Sequence, residues 1–106
     1  MYLRTWLLDL AVAVITCKRE EITSYEDAEE LVVYDMDSRT IKFSLRKPRN
    51  IEVLEDVLEE RGCDLWVFIT ASIPESVRDI IENMGVKVQI VRRAPLKEIL
   101  EELFAP

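Results

Sequence analysis

Few residues in this chain have side chains that do chemistry, and their types narrow what that chemistry is. There is no histidine, so a serine or cysteine nucleophile lacks its usual base, and iron and similar ions lose a common nitrogen ligand. Two thiols are present, Cys17 and Cys63, and a thiolate is a soft ligand suited to iron-sulfur chemistry. Asp35 and Asp37 have the Asp-x-Asp spacing that puts two carboxylates on one strand face, as magnesium-dependent nucleases require. No acid stands in the apolar run Leu10–Thr16, where such a site needs a third carboxylate. The pair therefore reads as turn residues. Arg39, Lys42, Arg46, Lys47 and Arg49 form a basic stretch. It suits an acidic partner or RNA, and more simply it guards an exposed sheet edge with solvated charge.

The elements that position these residues follow from length, charge and pattern. A chain of 106 residues has the size of one domain, residues 1–106, and buries about two-thirds of the surface its unfolded form exposes. With 49% hydrophobic and 33% charged residues it has enough apolar surface to fold. The formal net charge of −7 argues against phosphate backbones and anionic lipid as general partners. Trp6 to Ile15 has the apolar character of a signal peptide, but Asp9 interrupts it and it is too short to span a bilayer. It reads as a buried strand, with no membrane association. Two cysteines make no disulfide framework, which favours a reducing, cytoplasmic setting. Abundant Glu, Lys and Arg, with Gln89, Asn50 and Asn83 the only side-chain amides, match the composition of thermophile proteins.

Leu10–Thr16 (LAVAVIT) is nearly all apolar and predicts a central strand covered on both faces. Residues 17–30 read as a loop with one turn capped by Ser24. Leu31–Met36 and Thr40–Arg46 predict a hairpin, the second arm an edge strand with Ile41, Phe43 and Leu45 on its apolar face. From Ile51 the period lengthens to that of a helix, capped by Asn50 and stopped by Gly62. Leu65–Thr70 (LWVFIT) is a second buried strand. Ser72-Ile73-Pro74-Glu75 has the form of a capping box opening a helix with Val77, Ile80, Ile81 and Met84 inward. Val86–Val91 is a strand, and Pro95 opens a last helix. Three strands followed by alternating helices and strands predict a mixed sheet with helices on both faces.

That order, together with VAVIT, SYEDAEELVVYDMDSRTI, GCDLWVFIT and MGVKVQIVRRAPLKEILEEL, resembles the dinitrogenase iron-molybdenum cofactor biosynthesis family of NifX-like domains. The match covers Leu10 to Phe104, leaving residues 1–9 as an N-terminal extension. It implies an α/β, three-layer RNase H-like fold with a five-stranded mixed sheet in the order 3-2-1-4-5. Two departures stand out. The family often carries a His-Phe-Gly-like triplet where this chain has Tyr25-Glu26-Asp27, and glycines where it has Ala71-Ser72-Ile73. Both weaken cofactor binding, as does the absence of histidine.

In that strand order the winding direction reverses between the first and fourth strands, and ligands of open α/β sheets favour the carboxyl ends there. Thr16, Cys17, Lys18, Thr70, Ala71 and Ser72 line that edge and are the candidate ligand-binding residues. Cys17 is the candidate metal ligand, an intersubunit ligand included, with buried filler as its plainer role. Cys17 and Cys63 lie at opposite ends of neighbouring parallel strands, roughly 20 Å apart at 3.3 Å per residue, so they share neither a metal nor a disulfide within one subunit. The chain accordingly reads as a non-enzymatic accessory or binding protein, with no catalytic residue. By resemblance its cargo is an iron-sulfur or iron-molybdenum cluster. A homodimeric interaction module is the alternative, and a magnesium-dependent nuclease on the RNase H-like scaffold a remoter one.

Overall fold

Val, Ile and Ala dominate the first strand because β-branched side chains pack well on a pleated surface, and a strand walled on both faces has no wet side to supply with polar residues. In the computed structural model, which describes residues 9–105, this strand is β1 (Leu10–Lys18), with Val12 through Cys17 buried. After it come β2 (Glu21–Ile22), β3 (Glu30–Asp35) and β4 (Thr40–Arg46). A 3₁₀ turn (Ile51–Val53) leads into α1 (Leu54–Glu60), then β5 (Cys63–Thr70), α2 (Glu75–Asn83), β6 (Lys87–Ile90) and α3 (Leu96–Phe104).

The sheet order is β4-β3-β1-β5-β6. β3 pairs antiparallel with both β1 and β4, whereas β5 runs parallel to both β1 and β6. Leaving β2 aside, this is the predicted 3-2-1-4-5 order, a meander on one side of β1 and parallel crossovers on the other. It is a three-layer RNase H-like fold. α1 and α2 cover one face, where Leu54, Leu58 and Ile81 pack on Val12, Val14, Leu31, Val33 and Phe68. α3 covers the other, where Leu96 and Ile99 pack on Ala13, Ile15, Val32, Tyr34 and Ile69. Each large aliphatic or Phe side chain so buried contributes roughly 1.5–3 kcal/mol.

The helix ends largely follow the residues that predict them. Asn50 Oδ1 accepts the Glu52 amide at 2.9 Å, and Gly62, at φ +72°, ends α1 and turns the chain into β5. The expected capping box does not form. α2 starts at Glu75, after Pro74 in extended geometry, with no side-chain cap. Proline disfavours a helical conformation in the residue before it, so Ile73 cannot be the first helical residue that a Ser72 cap needs. The Val77 and Arg78 amides bond to the Pro74 carbonyl instead.

Two further differences bear on function. Within the stretch read as a loop, β2 folds back on β1 through the two-residue turn Arg19-Glu20, pairing Cys17 with Ile22 and Lys18 with Glu21. In the edge strand, the β3–β4 register shifts between Val33 and Tyr34, so Val33 faces Phe43 while Tyr34 faces Ile41. Lys42 is the extra residue of a β-bulge. Ile41 therefore leaves the face it was expected to share with Phe43 and Leu45 and joins the α3 face, 51% exposed. Residues 1–8 of the N-terminal extension 1–9, and with them the start of the run from Trp6, lie outside the described residues.

Candidate functional site

Parallel strands end with carbonyls and amides that a neighbouring strand no longer satisfies, which is why their carboxyl ends make binding sites. Here β5 pairs with β1 only as far as Ile15–Ile69. Beyond that point β2 takes the place beside β1, and the strap Thr23–Tyr25 crosses to the end of β5. Ala71 N–H donates to the Thr23 carbonyl at 3.1 Å, Tyr25 N–H to the Ser72 carbonyl at 2.8 Å, and Thr23 N–H to the Thr16 carbonyl at 3.2 Å.

Thr16 and Thr70, both wholly buried, lock this arrangement. Their hydroxyl oxygens are 2.8 Å apart, with the Thr23 carbonyl 2.8 Å from Thr16 Oγ1 and the Ser72 carbonyl 3.1 Å from Thr70 Oγ1. Two hydroxyl protons serve one hydroxyl–hydroxyl bond and one carbonyl at a time. The strap is held from outside as well. Lys47 Nζ donates to the Tyr25 and Glu26 carbonyls and lies 4.6 Å above the Tyr25 ring. Arg93 donates to the Asp27 carboxylate at 2.9 Å, holding that carboxyl below its ordinary range. Burial raises the Tyr25 phenol, and its ring lies 6.3 Å from that of Phe68.

The six candidate residues thus do not face one space. Thr16, Thr70, Ala71 and Ser72 meet around the strap, with Ser72 the exposed member. Cys17 points the other way, into the cluster under α3 with Ile15, Ile22, Leu96 and Ile99. Burial, assisted by the nearby Glu30 carboxylate, pushes its thiol up to about 12. Lys18 turns to Glu29, 3.7 Å away. Cys63 pairs with Leu10 at the other end of β1, on the opposite face, with its thiol 3.7 Å from the Arg61 carbonyl. Both thiols are free.

Asp35 and Asp37 occupy the β3–β4 turn. Asp35 Oδ1 accepts the Asp37 amide at 2.9 Å and the Ser38 amide at 3.3 Å. Burial pushes the Asp35 carboxyl up, but these bonds, with Ser38 and the charge of Lys42, bring it below its ordinary value. The basic stretch is dispersed. Arg39 holds a left-handed turn position at φ +59°, Lys42 is the bulge, Lys47 holds the strap, and Arg46 and Arg49 are exposed.

A second feature went unread in the sequence. Between α3 and β4 runs an open groove of two adjoining cavities, about 570 and 550 Å³, which share Ile41, Lys97 and Leu100. Tyr34 and Phe104 floor one end, their rings 4.9 Å apart. Pro95 and Leu96 floor the other, beside Arg19 and Glu20. Ile41 is the residue that makes the groove apolar at its centre, and its alternation with Phe43 pointed to the opposite face. The signal available was Leu100, at the edge of the apolar stripe of α3.

Among the described residues no group of three or more His, Cys, Asp or Glu side chains is arranged to hold a metal ion. No helix there is long and apolar enough to cross a membrane. No protein-family model and no curated protein matches the chain. Among solved structures, the crystal structure of PH0822 superposes with a TM-score of 0.68 over 88% of each chain, at 11% sequence identity. At that identity the likeness is one of fold.

Proposed function

We propose that this chain is a non-enzymatic accessory or binding protein, of the kind implied by its resemblance to NifX-like carriers of iron-sulfur or iron-molybdenum clusters. The observation that carries the reading is the Thr16–Thr70 hydroxyl pair holding Thr23–Tyr25 across the sheet's switch point. Both hydroxyls of the pair are engaged by the chain itself, and the sequence has no histidine to activate one as a nucleophile, which supports a binding role over a catalytic one. Thr16, Thr70, Ala71 and Ser72 are assigned to the crevice under the strap, while Cys17, on the other face of β1, is the proposed thiolate ligand of a separate position, with Lys18 beside it at the rim. With only two cysteines the chain has no disulfide framework, and on that composition a reducing, cytoplasmic setting is proposed.

Loading at Cys17 has a physical requirement. A thiol pushed up to about 12 is protonated at neutral pH, and only the thiolate binds metal. Cys17 lies beneath Ile22, Leu96 and Ile99, so β2 and the start of α3 have to part from β1 for the proton to leave and the cluster to enter. Anaerobic titration with iron-sulfur and iron-molybdenum donors, followed by visible absorption and metal analysis, tests this. Stoichiometric uptake by the reduced protein, lost in Cys17→Ser, is the expected result. No uptake, or uptake unchanged in Cys17→Ser, overturns the assignment of Cys17.

A further inference from the structure

We infer that the groove between α3 and the edge strand β4 is where a second copy of this chain docks. The argument begins with what the bulge does. Most edge residues of β4 are polar, and a bulge is a common means of discouraging edge pairing. This one also turns a large apolar side chain outward. Ile41, 51% exposed, lies between two cavities whose common walls are Lys97 and Leu100. Bulges re-aim side chains at functional places. An open trough along one whole helix fits a protein surface better than a small molecule, which needs a pocket that encloses it.

Charge identifies the occupant. The chain carries −7, and the helices of the opposite face are strongly acidic. Glu52, Glu55, Asp56, Glu59 and Glu60 are exposed on and before α1, and Glu75, Asp79 and Glu82 on α2. Two copies repel one another through those surfaces. The groove differs, because its rim has Arg19, Arg39 and Lys97 together with Glu20, Glu21 and Glu101. None of these six joins an ion pair among the described residues, although Lys18, Arg78, Arg92 and Arg93 all do.

A patch that is neutral overall and made of separated opposite charges can match its own two-fold image. An acidic peptide would match the three rim cations and leave the three carboxylates opposite like charge, whereas a second copy offers a partner of opposite sign to both sets. With Leu100 near the axis of an antiparallel contact, Lys97 of one copy faces the side of the partner's α3 that carries Glu101. α3 is nine residues long, so the contact falls at the small end of stable interfaces. Interface size does not fix affinity, so the chain concentration at which the dimer forms is what the experiment reads.

The proposal is independent of cluster carriage, and its test reads mass rather than metal. Sedimentation equilibrium of the full reduced chain across a concentration series should show a monomer–dimer equilibrium. Ile41→Glu should remove it, with an unchanged far-ultraviolet circular dichroism spectrum. Trp66→Arg, at another exposed apolar residue (59%), should leave it intact. Lys97→Glu should weaken the dimer at least tenfold, and Lys97→Glu combined with Glu101→Lys should restore it. A chain that stays monomeric throughout, a dimer indifferent to both Ile41→Glu and Lys97→Glu, or a double reversal that fails to restore association each overturns the second copy as occupant. Ile41 is surface-exposed, so misfolding is not expected; if Ile41→Glu does misfold, the Lys97 pair of variants decides alone.

Discussion

The crevice at the carboxyl ends of β1 and β5 and the groove between α3 and β4 belong to one sheet and solve opposite problems. At the crevice, strand ends leave buried polar groups that need partners, and the chain supplies them itself through Thr23, Tyr25 and Ser72. At the groove the backbone lies on an edge strand open to water, and what is left unpartnered is an apolar side chain, Ile41. An unpartnered buried polar group costs about 1–3 kcal/mol, whereas single exposed apolar residues are ordinary on protein surfaces. The first situation therefore has to be resolved within the fold. The second can persist until a partner covers it.

This contrast predicts unequal mutational costs. Thr70→Val removes one of the two hydroxyls between the strap carbonyls, and should cost about 1–3 kcal/mol in urea unfolding of the isolated protein. Ile41→Ser, at a concentration where the chain is monomeric, should fall within about 0.5 kcal/mol of the parent. A neutral Thr70→Val would mean that Ala71 and Tyr25 amides hold the strap without the hydroxyl pair. Proteolysis near Asp27 would distinguish a loosened strap from general unfolding, since only the first leaves β1 and β5 protected.

Cys17 sharpens the comparison from the buried side. The folded chain keeps the Cys17 proton up to about pH 12, against an ordinary thiol value of 9.0. Below pH 9 both states are protonated and the group adds nothing to the pH dependence. Between 9 and 12 the unfolded state binds fewer protons than the folded one, so stability falls as pH rises. The slope attributable to Cys17 approaches about 1.4 kcal/mol per pH unit, and a loss of about 1 kcal/mol between pH 9 and 10 is expected. Cys17→Ala has no such group, and subtracting its unfolding curve removes the titration of lysines and tyrosines common to both. Equal slopes in the two proteins would place the thiol in contact with solvent.

The sequence makes the frame legible because long apolar runs have little choice. LAVAVIT and the end of LWVFIT, Phe68 to Thr70, are buried between two helix layers, whereas Trp66 is 59% exposed, so the second run is not the fully buried strand its composition predicts. The helical period after Ile51, closed by Gly62, fixes how the chain returns between them. What escaped notice depends on single residues out of phase. Ile22 is only 1% exposed, but one apolar residue between Glu21 and Thr23 carries no period from which a two-residue strand can be read. Lys42 shifts the β4 register without leaving any mark in the alternation that it breaks. Ser72 matches a capping pattern, and the clash between Pro74 and a helical Ile73 outweighs it. Of the candidate residues Thr16 and Thr70, the second ends β5 and the first lies two residues before the end of β1, and that they bond to each other follows from the parallel pairing and from the strap, neither of which is local in sequence.

The smallest expected effect concerns the turn at the groove's rim. Arg19 and Glu20 both have positive φ, +52° and +65°, as the two-residue hairpin between β1 and β2 demands. Asn-Gly is the pair that adopts this turn most readily, and a side chain other than Asn, Asp or Gly pays roughly 1 kcal/mol there. Replacing Arg19-Glu20 by Asn-Gly should stabilise the monomer by about 0.5–1 kcal/mol and raise its Tm by about 3 to 6 °C. The exchange removes one rim charge of each sign, so it should weaken self-association less than Lys97→Glu, which changes the balance by two. Strain that persists where a relaxed sequence would serve points to a use for the strained side chains. If the Asn-Gly variant gains stability and loses association, Arg19 and Glu20 are held in place for the partner; if it gains stability and associates as before, the rim charges that matter are those on α3 and the β3–β4 turn.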